Sequence, residues 1–399
     1  MIPNRLAIEG GRPSRARLLP YHKPAITAKE INEVCRTLRS GWLTSGKVVA
    51  RLERDFAAYL GAKHAVAVCS GTAALHLALE AIGLKPADEV VVPTFTFTAT
   101  AEVVTYFGAR PVLIDSRAED FNLDPAAFEA AITKKTKAVI PVHIGGLPCR
   151  MDAIRRIARR HDIAVIEDAA HCVPGKFRGR PVGLLGDAAA FSLYANKNIT
   201  SAEGGVLVTQ SSRIADRARV MRLHGMDRDA WRRYAPGGSW RYDIVAAGFK
   251  YNLTDVHASI AVHQLDRADA LWRDRAAIAR AYDAAFSLVP ELKTPPRSND
   301  SEHAWHLYSL RIIPEKLRVG RDAFFNALRA ENIGLSVHFI PLHLMSYYRT
   351  NCILAGARFP NADRHFESLV SLPIYSGMSR RDVSDVITAV QKVVTAYRR

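Results

Sequence analysis

From residue 64 onward, short all-apolar runs alternate with longer segments in which apolar residues recur every three or four positions. The runs 64–69, 90–92, 112–114, 138–142 and 163–166 show no polar alternation, the pattern of strands covered on both faces. Segments 73–82, 98–107, 125–132 and 151–160 carry helical spacing, as with Leu75, Leu79 and Ile82. Two further apolar runs, 186–192 and 204–209, bracket a polar loop. Strand and helix in repeated alternation predict an α/β domain built on a mainly parallel, seven-stranded sheet.

The flanks read differently. Residues 1–25 hold four prolines (Pro3, Pro13, Pro20, Pro24) and little periodicity, so they are expected to form an extended arm. Segment 27–40 is helical, with Thr27 as N-cap and Glu30 at the capping-box position. Residues 41–46 break that helix, and a second one, 47–60, ends at Gly61. Past Gly248 one long helix is expected from about 254 to 286. A strand (306–312), a helix (321–330), a strand (335–339) and a final helix (379–398) then predict a smaller α+β domain. The division expected is an arm (1–25), a large α/β domain (26–270) and a small C-terminal domain (271–399).

Composition narrows the class. With 399 residues, 48% hydrophobic and 24% charged, the chain is long enough for two domains and a large core. No apolar run reaches the ~20 residues of a membrane span, and the first residues lack a signal-peptide core. The five cysteines are scattered without a Cys-x-x-Cys pair, which argues against a disulfide framework or a metal site and for a reducing cytoplasm.

The formal charge of +16 raises the question of an acidic partner. Arg155, Arg156, Arg159 and Arg160 share one side of a helix, and Arg213, Arg217, Arg219 and Arg222 punctuate another. Both read as solvated faces. Arg228, Arg232, Arg233 and Arg241 crowd a polar loop and are placed to meet a diphosphate. No nucleic-acid-binding module with aromatic platforms is present in the sequence.

Four features bear chemistry, and each has a plainer reading when taken alone. Lys197 lies on the polar loop between the runs 186–192 and 204–209; it is a surface lysine or an amine poised to form a Schiff base. Ser70-Gly71-Thr72, between strand and helix, is an ordinary capped turn or a phosphate cradle at a helix N-terminus. Asp168, after Glu167 at the C-terminal end of a buried strand, caps a turn or holds a protonated pyridine nitrogen. Phe95 and Phe97 pack in the core or stack on a planar ring. Ser192 could offer its hydroxyl to a phosphate, and His171 is a core histidine or a cofactor contact. Found in order on the loops of one α/β domain, they form the parts of a pyridoxal 5'-phosphate (PLP) site.

The sequence also resembles the nucleotide-sugar aminotransferases, PLP enzymes of fold type I. The motifs that carry the resemblance include Ser40-Gly41-Trp42-Leu43-Thr44-Ser45-Gly46, Glu167-Asp168-Ala169-Ala170-His171, Asn196-Lys197-Asn198-Ile199-Thr200 and Phe249-Lys250-Tyr251-Asn252-Leu253-Thr254-Asp255. The last two look closest to members that aminate C4 of a UDP-linked 4-keto sugar, such as the one that makes UDP-4-amino-4-deoxy-L-arabinose. The resemblance implies that Lys197 joins PLP as a Schiff base and that Asp168 pairs with the pyridinium nitrogen. It gives ring stacking to Phe97, the phosphate to Gly71, Thr72 and Ser192, and the ring hydroxyl to His171. It implies that Asn252 reaches the phosphate of the other subunit of an obligate homodimer. Trp42, Thr44 and His338 fall near the substrate, where packing readings stand equally.

The implied reaction moves an amino group from L-glutamate, through pyridoxamine phosphate, to a nucleotide-linked keto sugar. Neither nucleic acid nor membrane is an expected partner. The loop 227–243, with Trp231, Tyr234 and Trp240, departs from the nearest relatives and is expected to shape the sugar-nucleotide pocket. Rival readings are a cyclitol aminotransferase of the same fold, a non-catalytic PLP-binding regulator and a basic nucleic-acid-binding protein.

Overall fold

The computed structural model describes residues 5–227, 241–356 and 358–399. Seven strands of an eight-stranded sheet come from the apolar runs, in the order Ile353–Leu354, Arg110–Ile114, Glu89–Pro93, Thr136–Val139, Ala164–Asp168, Ala188–Ser192, Gly205–Thr209 and His64–Val68. Five of the neighbouring pairs are parallel; only Gly205–Thr209 runs against both its neighbours. The eighth strand, Ile353–Leu354, comes from the C-terminal part of the chain and was not anticipated. Successive side chains point to opposite faces of a strand. Val91 accordingly joins the apolar layer of Phe56, Ile154 and Phe191, while Val90 and Val92 join that of Leu77, Val104 and Leu207.

A third apolar cluster gathers Tyr282, Tyr308, Phe324 and Val390 around a three-stranded sheet, Leu292–Lys293, Tyr308–Ile312 and Leu369–Leu372. The N-terminal arm belongs to this cluster through Leu6 and Leu19, both buried, and Leu19 bridges Ile333. Among the described residues no helix is long and apolar enough to cross a membrane.

The capping box at Thr27 and Glu30 forms, and helix Ala28–Ser40 ends at Gly41 in the left-handed region (φ 76°), where glycine carries no Cβ penalty. Helix Lys47–Leu60 ends at Gly61 in the same way. Two expectations need correction. The single helix 254–286 is two, Asp255–Leu265 and Ala268–Phe286, because Arg267 leaves helical angles (φ −111°, ψ 7°). Its guanidinium turns instead to Ala25 O and the Glu30 carboxylate. The segment 335–339 is no strand. Gly334 N donates to Leu19 O of the arm, Ser336 makes one isolated bridge to Ser371, and His338 Nδ1 meets Ser371 Oγ (3.0 Å), so no ladder continues.

Glu331 fastens the arm. It is fully buried and accepts from Ala7 N, Ser14 N, Ser14 Oγ and Lys392 Nζ at 2.7–2.9 Å. Glu331→Ala leaves the buried Lys392 ammonium without its carboxylate, a loss expected to cost ~3 kcal/mol or more. Urea unfolding measures it; a cost below ~1 kcal/mol would mean that the clamp is not structural.

Candidate active site

The carboxyl ends of the parallel strands carry the site. Asp168, the last residue of Ala164–Asp168, is buried. Its Oδ2 accepts from Thr100 Oγ1 (2.8 Å), which meets Thr96 Oγ1 (2.8 Å), and its Oδ1 accepts from Ala170 N (3.2 Å). Thr100 has one proton to give, so Thr96 must donate to Thr100 for Thr100 to donate to the carboxylate. Burial raises the pKa of Asp168, while the two hydrogen bonds and the nearby charge of Lys197 oppose the shift.

Lys197 sits on the turn after Ala188–Ser192, with its N–H on Tyr194 O (2.9 Å). Among the described residues its Nζ has neither a hydrogen bond nor a salt bridge. Burial brings the amine down to about 8, with the Asp168 charge pulling it up. A desolvated lysine of this kind is a nucleophile near neutral pH.

Helix Gly71–Ala81 points its N-terminus at the same edge. The Ser70 hydroxyl caps Ala73 N (3.0 Å), which leaves the N–H groups of Gly71 and Thr72 directed out of the helix end. Glycine is needed at 71 and 205. A Cβ on Gly71 would meet Ser192 Cβ at 3.0 Å, and one on Gly205 would sit 2.3 Å from the Ser70 carbonyl. The space between the helix end and Ser192 is thus a cradle that a methyl group would fill. Free N–H groups, a serine hydroxyl and a threonine suit the phosphate of PLP, and a buried carboxylate beside a low-pKa lysine suits its ring nitrogen and aldehyde.

Aromatic rings close the cleft. Phe97 is 57% exposed and lies 6.0 Å from the Phe339 ring, which stacks on His171 at 5.8 Å; His171 in turn lies 4.4 Å from His306. Gly145 N donates to His171 Nδ1 (3.3 Å), and burial with the Lys197 charge holds that imidazole well below its usual pKa. His338 is brought down to about 4 by burial and by Lys197. The structure therefore gathers Asp168, Lys197, His171, His338 and Phe97 at one edge, with Gly71, Thr72 and Ser192 forming the cradle. Trp42, Thr44 and Asn252 form a separate group. Asn252 Nδ2 donates to Ser45 Oγ (2.8 Å) and Thr44 Oγ1 (3.5 Å), and Trp42 Nε1 to Ser45 O (3.1 Å). Asp255 anchors this turn by accepting from Gly46 N and Val49 N. Arg228, Arg232, Arg233, Trp231, Tyr234 and Trp240, assigned from sequence to a ligand-facing loop, lie outside the described residues.

Several contributors were missed. Tyr21 of the arm stacks on His338 (5.6 Å), and His22 meets Ala195 O of the lysine loop (3.0 Å). Nothing local marks these residues, since their partners lie more than 170 positions away. Thr96 and Thr100 had a signal, the threonine run at a strand's C-terminal end, but that segment was read only for its phenylalanines.

This is the architecture of a fold type I PLP enzyme. The profile of the DegT/DnrJ/EryC1/StrS aminotransferase family matches residues 24–391, and the chain belongs to that family. It is a PLP-dependent sugar aminotransferase. The spore coat polysaccharide biosynthesis protein SpsC of Bacillus subtilis is 48% identical over 381 residues, 95% of this chain and 98% of that protein. The sugar aminotransferase Spr1654 of Streptococcus pneumoniae, solved in a PMP form, superposes with a TM-score of 0.88 at 33% identity, over 95% of this chain and 99% of that one. DesI, solved in the presence of its TDP-sugar product, gives a TM-score of 0.87 at 29% identity, over 98% and 96%.

An amine that titrates near 8 fixes a pH dependence. Only the neutral amine attacks an aldehyde, so cofactor capture by the PLP-free protein should speed up as pH rises, by about tenfold per unit below 8, and level off above it. Stopped-flow absorbance measures this. A rate constant flat from pH 6 to 9 would place the pKa elsewhere.

Proposed function

We propose that this enzyme transfers the amino group of L-glutamate to the keto carbon, at C4, of a nucleotide-linked keto sugar, giving the amino sugar nucleotide and 2-oxoglutarate. What carries the reading is the Lys197 amine set beside the buried Asp168 carboxylate at the strand edge that the Gly71 helix end also faces. The TDP-sugar product of DesI and the polysaccharide pathway of SpsC support a sugar nucleotide as the acceptor.

Bound PLP supplies the electron sink that lets a proton leave the donor Cα. Asp168 would pair with the ring nitrogen and favour its protonated form, with Thr96 and Thr100 holding the carboxylate in place. Lys197 Nζ takes the proton from the donor Cα and later returns one to the sugar carbon, as base and then acid. Gly71, Thr72 and Ser192 would hold the phosphate, Phe97 would cover one ring face, and His171 would meet the ring hydroxyl. His338 faces the sugar.

Asn252, Trp42 and Thr44 serve the active site of a second subunit. Beside their turn, helix Ala28–Ser40 exposes Ile31 (56%) and Leu38 (52%), seven residues apart on one stripe, and Leu43 (47%) follows. An apolar stripe continuous with site residues is what a shared-site dimer interface requires.

Three outcomes follow. Glutamate should move the cofactor absorbance of the purified enzyme from ~420 nm to ~330 nm, and Lys197→Arg should lack that change and lose turnover by ~10³-fold or more. UDP- and dTDP-linked 4-keto sugars offered next should support turnover; turnover with a free cyclitol ketone alone would replace the sugar reading. Light scattering should give a dimer, and Ile31→Asp with Leu38→Asp a monomer of low activity; a fully active monomer would remove Asn252 from the mechanism.

A further inference from the structure

Two helices carry the same arginine-rich signal in the sequence, and the structure treats them differently. On Ser212–Met221, Arg217 pairs with Glu80 and Arg219 with Asp216, Arg213 donates to Ala81 O, and Arg222 just beyond pairs with Glu53. On Met151–Arg160, Arg160 pairs with Glu129, but Arg155, Arg156 and Arg159 have no ion pair among the described residues.

A hairpin adds to this imbalance. Lys176–Phe177 and Arg180–Pro181 are joined by Arg178 and Gly179, both at positive φ (48° and 74°), the two-residue turn that suits the twist of antiparallel strands. It lays Arg178 and Arg180 against the helix. Arg178 is shared between Asp152 (3.1 Å) and Asp300 (3.3 Å), and Arg180 donates to Leu184 O (3.0 Å). Helix and hairpin line a half-open cavity of about 430 Å³ that presents Arg155, Arg156, Arg159, Arg178 and Arg180, with Asp152 as its carboxylate. Arg155 is half-buried there, and burial with the neighbouring Arg159 and Arg180 charges lowers its pKa, against the smaller opposing pull of the Glu167 and Asp187 charges. The adjoining cavity shares Arg155 and Arg159 and reaches Lys137, Ala164 and Asp187, at the amino ends of the parallel strands. Asp168 and Ser192 lie at the opposite ends of those strands, so this is not the PLP site.

We propose that this cavity binds a small anion carrying two or more phosphoryl groups. A solvated arginine face spreads its charges; here guanidiniums from two elements converge on one concavity, a repulsion that an anion would relieve. Guanidinium forks match phosphate oxygens in pairs. The volume lies in the range of small-molecule sites, and the concavity admits a diphosphate with an attached group.

The test is calorimetric titration of the PLP-loaded, full-length enzyme with inorganic pyrophosphate, alongside the variant Arg155→Gln/Arg159→Gln/Arg180→Gln and a cleft variant, His338→Ala. Pyrophosphate should bind the wild type and the cleft variant alike, and the triple variant about tenfold or more weakly. Arg156, Arg159 and Arg180 are exposed and Arg155 half-buried, so the triple variant is expected to keep the wild-type melting temperature. The proposal is overturned if the triple variant titrates like the wild type, if His338→Ala instead abolishes binding, or if no heat appears up to ~10 mM. It is equally overturned if a ~20-bp duplex binds the wild type more tightly than pyrophosphate does and loses that affinity in the triple variant, which would make the face a nucleic-acid surface.

Discussion

Asp168 and its chain neighbour Glu167 point to opposite faces of one strand, and what Glu167 does in the core decides where Asp168 stands in the cleft. Glu167 is fully buried and accepts from Gly183 N, Leu185 N, Gly186 N and His143 Nε2 at 2.7–3.2 Å. Cys149 N donates to His143 Nδ1 (3.0 Å), which fixes the imidazole with its proton on Nε2, aimed at Glu167. His143 N also donates to Asp168 O (3.2 Å). A carboxylate of this kind is tolerated in a core only when donors saturate it. The saturation ties the strand end to the loop after Val142 and to residues 183–186, so Asp168 cannot drift without breaking a buried network.

The charge in the cleft follows from that fixed carboxylate. Burial disfavours the ammonium of Lys197, and Asp168 is the charge that opposes the shift. The histidines around it shift in the same direction, with Lys197 adding to the effect of burial. His22, His171, His306 and His338 all have lowered pKa values, with burial as the largest cause and Lys197 as a contributor in each. They are neutral groups at physiological pH, able to donate and accept hydrogen bonds without adding a second cation beside the lysine. Arg275 completes the back of the site as a buried guanidinium, brought down to about 10 by burial, that holds the backbone carbonyls of Trp305 and Ile374.

How much of this was legible in the sequence depends on the range of the interactions. The sheet strands could be read because burial on both faces leaves an uninterrupted apolar run. Helix starts and stops at Thr27, Gly41 and Gly61 could be read because capping is local chemistry. The break at Arg267 could not, since no glycine or proline marks it and the guanidinium's partners lie some 240 positions away at Ala25 and Glu30. The apolar alternation of 335–339 looked like a strand, but its backbone pairing stops at the single Ser336–Ser371 bridge, between Gly334 on the arm and His338 on the Ser371 hydroxyl. Lys197 and Asp168 stood out because the loops that follow the strands of an α/β sheet are where polar residues need a reason. Tyr21, His22 and His306 did not, because only the fold brings the arm and the second sheet to the lysine loop.

The two ends of the parallel strands handle negative charge by different means, and the difference has a cause. At the carboxyl end, the proposed phosphate cradle uses backbone N–H groups at a helix terminus and hydroxyls, which offer partial charges fixed in direction. A guanidinium in the cradle itself would push the already depressed Lys197 lower still, by the same repulsion that Arg159 and Arg180 exert on Arg155. At the amino end no group has to keep a tuned pKa for proton transfer. Full charges can crowd there, because solvent screens the exposed members and Asp152 and Asp300 share the load on Arg178. The sheet thus separates the place where charge must be rationed around the proposed catalytic amine from the place where it can accumulate, and it does so with the same strand, Ala164–Asp168, running from one to the other.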